Sequence, residues 1–493
     1  MKRHKAYQKN ESFKFLNLIL ALITILFLFS CREHQTPPNL LIIFPDQMRG
    51  QAMGFVGEEP VFTPNLDKFA SRGIVFDQAV SNYPVCSPFR AMLMTGKYPV
   101  SNKVLTNSTN LVPPDNELQV NDTSWSDILH NKGYSLGYIG KWHLDRPYEP
   151  YIDCANNKGK VKWNEWCSPE RRHSFDFWYS YNTYDYHLRP LYWTTDAGRN
   201  DFHYVDQWGP EHEADIAIKY IKNKKGEYRK KDKPFALVVS MNPPHMPYDA
   251  VPQKYKDIYK DVDTIKMFNK PHIPPANTKW GNYYRKNIRN YYAMITGVDE
   301  QFGRILQALK EEGLEDNTIV LFTSDHGNCL GIHNMISKNN HYEESMRVPL
   351  LLRWPEKITA RQTDLLISSP DIYPTIMDLM GMQKEIPKTI EGTSFAEYIK
   401  HGTGNTPSSQ IYIWMKPGQP ESGRRGVRTE NYTLVIDKTP NSTEEIILHD
   451  NRKDPYQMKN IAKEYPELVK ELIHNELIPW LEKTNDPFIE KLR

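Results

Sequence analysis

The chain is poor in cysteine, carries almost no net charge and lacks a long membrane-spanning run. Five cysteines among 493 residues are too few to staple a disulfide scaffold. Lys and Arg number 62 against 60 Asp and Glu. The first thirty residues hold five of those cations and one of the acids, so the rest balances at 57 against 59, or −2. No basic excess remains to grip nucleic acid, and a nucleic-acid partner is excluded. No internal repeat and no long low-complexity tract point to a solenoid or a disordered linker. What is present is a core-forming composition: 39% hydrophobic, 25% charged and 12% aromatic. It excludes disordered, collagen-like and polytopic membrane chains. The length allows two or three domains, or one large α/β domain with an addition.

The N-terminus reads as a targeting segment. Met1–Lys14 is basic, and Phe15–Ser30 is uncharged and apolar. That stretch is short for a membrane span and right for a secretory signal. Leu28-Phe29-Ser30-Cys31 resembles a bacterial lipoprotein cleavage box, although Phe29 is larger than the usual residue. The expectation is a lipoprotein signal peptide over 1–30 and a linker over 31–38. The protein is then exported to the periplasm or cell surface and touches a membrane only through a lipid on Cys31. After export, Cys154 and Cys167 become candidates for a disulfide.

From Asn39 onward strand and helix signals alternate. Asn39–Phe44 is a continuous apolar run of the kind that buried parallel strands show. Ile74–Val80, Tyr134–Ile139, Phe235–Met241, Thr318–Thr323, Pro349–Arg353 and Gln410–Trp414 are further strand candidates. Thr63-Pro64 opens a helix ending near Gly73, with Thr63 as its cap. Helical stripes cover Ile288–Glu312 and Ser369–Met380. The class predicted is α/β: a large, mainly parallel, doubly wound sheet flanked by helices over 39–404. In the tail, Gly426–Asp437 and Glu444–His449 read as strands and Tyr465–Leu481 as an amphipathic helix. This predicts a smaller α+β subdomain with an antiparallel sheet over 405–493.

Ligands of open α/β sheets lie beyond the carboxyl ends of the strands, and four strand candidates run into reactive side chains there. They lead to Asp46-Gln47, to Lys141-Trp142-His143, to Asn242-Pro-Pro-His245 and to Asp325-His326-Gly327. Asp46, Gln47, Asp325 and His326 can enclose one cation. The oxygen-rich set favours Ca2+ first and Mg2+ second, with His326 the unusual member. In Cys86-Ser-Pro-Phe-Arg90, followed by Thr95-Gly96-Lys-Tyr-Pro99, Pro88 and Gly96 frame a short helix. Cys86 sits at its positive end and Arg90 one turn along the same face. A nucleophile so placed suits a tetrahedral oxyanion ester.

At these residues the chain resembles the type I, formylglycine-dependent sulfatases of the alkaline-phosphatase superfamily, and among them bacterial polysaccharide sulfatases. Their signature is Cys-x-Pro-x-Arg followed by Thr-Gly. The likeness extends through Gly140–His143, Pro244–Pro247, Ser324–Gly327, Lys338 before Tyr342-Glu343-Glu344, Asp371–Thr375 and the tail Leu448–Tyr456. It implies that a maturase converts Cys86 to formylglycine, whose hydrate attacks sulfur. Ca2+ is then held by Asp46, Gln47, Asp325, His326 and residue 86. Arg90 braces residue 86, Lys141 and Lys338 bind sulfate oxygens, His143 helps restore the aldehyde, and His245 protonates the leaving oxygen. Gln47 and His326 stand where many relatives have Asp and Asn, which leaves one carboxylate fewer.

Phe175–Trp208 is dense in aromatics interleaved with His187, Arg189 and other cations. Phe175, Phe177 and Trp178 are expected to pack in the core. Rings stack on sugar faces and cations pair with sulfates, so some of the rest are expected to line a substrate cleft, with His187 and Arg189 as contacts. The substrate expected is a sulfated oligosaccharide or polysaccharide, first a marine algal glycan such as ulvan. Two other readings stand beside it: hydrolysis of a phosphonate or phosphodiester, and a non-catalytic lipoprotein that binds sulfated glycans.

Overall fold

A computed structural model describes residues 36–262, 268 and 270–492. The expected signal peptide over 1–30 and the expected anchor at Cys31 lie outside the described residues. Pro38–Arg493 forms one compact unit. Among the described residues no helix is long and apolar enough to cross a membrane.

In chain order the strands of the first four hundred residues are β1 (Asn39–Pro45), β2 (Ile74–Phe76), β3 (Ala79–Val80), β4 (Ser135–Lys141), β5 (Phe177–Tyr181), β6 (Leu191–Thr194), β7 (His203–Tyr204), β8 (Phe235–Met241), β9 (Thr318–Thr323), β10 (Leu350–Arg353), β11 (Arg361–Thr363) and β12 (Ile367–Ser368). Ten of them make one sheet in the order β11-β2-β10-β9-β1-β8-β4-β5-β6-β7, and β3 pairs with β12 apart from it. The central strands β9, β1, β8, β4 and β5 are mutually parallel.

β1 shows why the centre is parallel and doubly covered. Leu41 and Ile43 enter one core, and Leu40, Ile42 and Phe44 enter the other, the two-residue period of a strand. Helices α1 (Pro64–Ala70), α3 (Gly209–Lys222) and α4 (Lys279–Glu311) cover the first face. Helices α2 (Cys86–Thr95) and α5 (Ile372–Leu379) cover the second. Both faces being dry, every residue of β1 is buried, and the strand reads as an unbroken apolar run.

Several expectations are corrected. Ile74–Val80 is two strands, β2 and β3, in different sheets. β10 runs antiparallel to β9; residues 324–349, which join the two, hold only a 3-10 turn and a four-residue helix and no long crossover helix. Thr63 does not cap α1 through a helix N–H; its hydroxyl accepts from Gly54 N and donates to Asp67 Oδ1. Gly426–Asp437 is not one strand. Its residues divide between β14 (Gln419–Thr429) and β15 (Tyr432–Lys438), which pair in a hairpin. Thr429 Oγ1 accepts from Asn431 N and Tyr432 N, a hydroxyl-made turn with neither glycine nor proline to announce it. With β13 (Ser409–Lys416) and β16 (Glu445–Asp450) they form an antiparallel sheet of four. The tail helix is interrupted by a wide π turn over Ile473–Leu477. Cys154 and Cys167 are free thiols buried in separate cores.

The C-terminal sheet stands behind α2. Ile411, Ile413, Val427 and Leu434 pack with Val85 and Met92. The Asn82 amide donates to Ile411 O at 2.9 Å, and Ile413 N donates to Asn82 O at 2.8 Å. The segment leading to Cys86 is thereby fastened on the side away from the large sheet.

Candidate active site

Four strand ends and one helix converge. Gly140 permits the approach of β4 to β8: its φ is 92°, and a Cβ there would lie 2.1 Å from Ser240 O. The next residue, Lys141, is fully buried, and its Nζ reaches Asp46 Oδ2 at 2.7 Å and Asn242 Oδ1 at 3.0 Å. Gly96 closes α2 with φ 63°, where a Cβ would lie 2.8 Å from Ile390. Gln47 and His143 hold φ of 73° and 54°, a conformation that ordinary residues adopt reluctantly and that gathers at functional sites.

Cys86 lies at the centre. Its Sγ receives Lys338 Nζ at 2.9 Å and lies 3.4 Å from His326 Nε2, 3.8 Å from Asp46 Oδ1 and 4.0 Å from Lys141 Nζ. Burial and Asp46 oppose its ionisation, but Lys141, Lys338 and His326 together hold the thiol well below its usual range. Arg90 ties the cluster together. One arm of its guanidinium donates to Lys141 O at 2.6 Å and Ser240 Oγ at 2.8 Å. The other reaches Asp46 Oδ2 at 3.0 Å and Asp325 Oδ2 at 3.4 Å. A planar, permanently charged fork suits such divided duty. His143 is buried beside Cys86, and burial lowers its ring to about 4 against the pull of the sulfur, so it is neutral at ordinary pH.

The donor set fits a hard divalent cation. Ligand atoms of Asp46, Cys86, Asp325 and His326 lie within 4.8 Å of one another. His326 Nδ1 donates to Gly327 O at 2.9 Å, which leaves the Nε2 lone pair facing the cluster. Gln47 Nε2 donates to Ser337 Oγ, whereas Gln47 Oε1 is buried without a partner among the described residues. An orphaned carbonyl oxygen beside two carboxylates is a cation ligand in waiting. The electrostatics agree. Lys141 and Lys338 hold Asp46 low against burial, but burial and the neighbouring Asp46 push Asp325 up to about 7. A further positive charge is needed to keep both ionised.

His245 lies at the rim after β8. Its Nδ1 faces Met246 O at 2.9 Å and Asp185 Oδ1 at 3.3 Å. His187 and Arg189 do not join the cluster. His187 is buried, and its Nε2 donates to His245 O at 2.8 Å, so it supports the turn. Arg189 is exposed, pairs with Asp206 at 2.8 Å and lies over the Tyr204 ring. Most of the aromatic insert is core: Tyr179, Tyr181, Tyr184, Tyr192, Trp193 and Trp208 are buried, while Tyr186 and Tyr204 are exposed. Sequence reasoning missed Asp185 and the roles of Asn242, Ser240 and Ser337. Asn242 was visible as a polar residue following a strand. Asp185 had no signal beyond its place among rings.

A helix-borne cysteine ringed by fixed cations, two carboxylates and a histidine, at the carboxyl edge of a doubly wound sheet, suits hydrolysis of tetrahedral oxyanion esters. The family model described as Sulfatase matches residues 38–382, and that described as N-sulphoglucosamine sulphohydrolase, C-terminal, matches 331–483. An endo-4-O-sulfatase of Bacteroides thetaiotaomicron is 36% identical over 93% of this chain and 95% of its own. An ulvan-active sulfatase of Formosa agariphila is 33% identical over 94% of this chain and 86% of its own. A crystal structure from Bacteroides fragilis, assigned to the sulfatases under the name yidJ, superposes with TM-score 0.90 at 50% identity, covering 94% of this chain and 99% of the other. The chain belongs to the sulfatase family, of the type I group within the alkaline-phosphatase superfamily, and is a sulfuric ester hydrolase.

Proposed function

We propose that this protein removes sulfate esters from a sulfated oligosaccharide or polysaccharide, with residue 86 as nucleophile after conversion to formylglycine by a maturase. The carrying observation is the contact of Cys86 Sγ with Lys338 Nζ at 2.9 Å, inside a cluster that also holds Asp46, Asp325 and His326. Relatives named for endo-4-O-sulfatase and ulvan activity, 36% and 33% identical, support a polysaccharide substrate. Ulvan is the algal candidate and a 4-O-sulfated glycan stands beside it. The basic, then apolar, N-terminus ending at Cys31 supports an exported lipoprotein.

When bound at Asp46, Gln47, Asp325, His326 and residue 86, a divalent cation, first Ca2+, would supply a Lewis acid, and formylglycine would supply a hydrated aldehyde as nucleophile. The chain's own residues do the rest. Lys141 and Lys338 place positive charge on the sulfate oxygens, Arg90 fixes the carboxylates and the β4 carbonyl, and neutral His143 is free to accept a proton beside residue 86. His245, at the rim, delivers a proton to the departing oxygen. A panel of sulfated oligosaccharides from ulvan, carrageenan, fucoidan and glycosaminoglycans, assayed for released sulfate beside an aryl phosphodiester, tests the reading. Release of sulfate from a glycan supports it; turnover of the phosphodiester alone overturns it.

A further inference from the structure

The loop between β5 and β6 does something that its composition hides. Asp185 Oδ1 lies 3.3 Å from His245 Nδ1 and accepts from Asn242 Nδ2 at 3.1 Å; Asp185 Oδ2 accepts from Asn156 Nδ2 at 3.0 Å. Asn242 is itself fixed: its Nδ2 also donates to Tyr184 O at 2.9 Å, and its Oδ1 accepts from Lys141 Nζ at 3.0 Å. Two residues on, His187 Nε2 donates to the backbone oxygens of His245 and Met246 at 2.8 and 3.3 Å. Burial lowers the His187 ring to about 4, so it acts as a neutral brace. One short loop thus grips both the ring and the backbone of His245.

We propose that Asp185 is the positioning residue of the leaving-group acid. This rests on the reading of His245 as that acid. The two acceptors at Nδ1, Asp185 and Met246 O, require a proton on that nitrogen. The transferable proton therefore sits on Nε2. As the nucleophile at residue 86 bonds to sulfur and the bond from sulfur to the sugar oxygen breaks, that electron pair stays with the sugar oxygen, which takes the Nε2 proton. His245 is left neutral with Nδ1–H still held, and solvent reprotonates Nε2. The carboxylate holds Nδ1–H and so keeps the ring oriented with Nε2 free to deliver its proton. Even where burial resists its ionisation, the charges of His245 and Lys141 hold Asp185 well below the usual carboxylate range, so it is an anion when the proton is needed.

The consequence is a dependence on the leaving group. Nitrophenyl, phenyl and methoxyphenyl sulfates, in that order, release progressively more basic oxyanions and need the acid more. In the mature, metal-loaded enzyme, His245→Ala should lose activity increasingly along that series, toward the ~10²–10⁴-fold that general acids contribute. Asp185→Asn, nearly isosteric but able to donate toward Nδ1, should follow the same trend, reaching on the order of 10–100-fold on the poorest leaving group. Adding Asp185→Asn to His245→Ala should cause no further loss. The ratio between substrates is read on one sample, so partial misfolding cancels. If His245→Ala steepens the trend but Asp185→Asn lowers all three substrates equally, or adds fully in the double variant, the assignment of Asp185 is overturned and His245 stands. If His245→Ala is itself flat along the series, the acid has been misassigned and the role of Asp185 falls with it.

Discussion

The cluster around Cys86 and the aromatic insert of residues 175–208 both stood out in the sequence, and the structure treats them differently. In the first, spacing carried the meaning. Cys-x-Pro-x-Arg sets two groups one turn apart on α2, and the polar ends of β1, β4, β8 and β9 can meet only there. In the second, composition suggested that the rings beyond Phe175, Phe177 and Trp178 form a sugar platform, yet Tyr179, Tyr181 and Tyr192 form a packed aromatic knot as well. Rings are the largest core fillers as well as the best sugar partners, so density alone does not say which. A fixed interval between unlike reactive groups says far more.

The comparison is broken or sharpened by substitution, beginning with the largest effect. Cys86→Ala should lower kcat/KM by on the order of 10⁴–10⁶-fold, as loss of a covalent nucleophile does, with an unchanged melting temperature within a few degrees. Next, Asp325→Asn and Gln47→Ala should each weaken divalent-ion binding, measured by calorimetry. The losses should exceed for Asp325, and approach for Gln47, the ~10–100-fold typical of outer-shell changes. Tight binding in Gln47→Ala would show that its orphaned oxygen is no ligand.

For the rings of the insert the effects should fall on stability. Trp178→Ala should destabilise by about 3–5 kcal/mol while the folded fraction keeps its kcat. Tyr186→Ala, exposed on the loop that carries Asp185, should change stability by less than about 0.5 kcal/mol. A pH effect separates the regions further. Burial pushes the Glu213 carboxyl up to about 8 from a usual 4.5, against hydrogen bonds from Tyr192 and Tyr181. Folded chains keep that proton and unfolded chains release it above 4.5, so stability from this group is complete below about 4.5 and declines as pH rises toward 8. Glu213→Gln should flatten that decline in melting temperature; an unaltered slope would place the titrating group elsewhere.

Much of the fold was legible because buried parallel strands are apolar on both faces, and β1, β8 and β9 read directly as such. What escaped depended on contacts between distant segments. The direction of β10 is fixed by its partner, the Thr429–Tyr432 turn by a hydroxyl, and the pairing of Asp185 with His245 by sixty residues of intervening chain. Much of the candidate site was legible for a related reason: Asp46, Lys141, His143 and Asp325 sit at or just past the ends of β1, β4 and β9, within the same few residues that announce the strand, while Cys86 and Arg90 were given by their spacing on α2.

The most direct test joins chemistry to activity at one residue. Preparations made with graded amounts of maturase can be digested, and the peptide containing residue 86 weighed by mass spectrometry for its aldehyde fraction. The same preparations are assayed for sulfate release. Activity should rise in proportion to aldehyde at residue 86 and extrapolate to nothing when only the thiol is present. Full activity in a preparation whose residue 86 is entirely thiol would contradict the account.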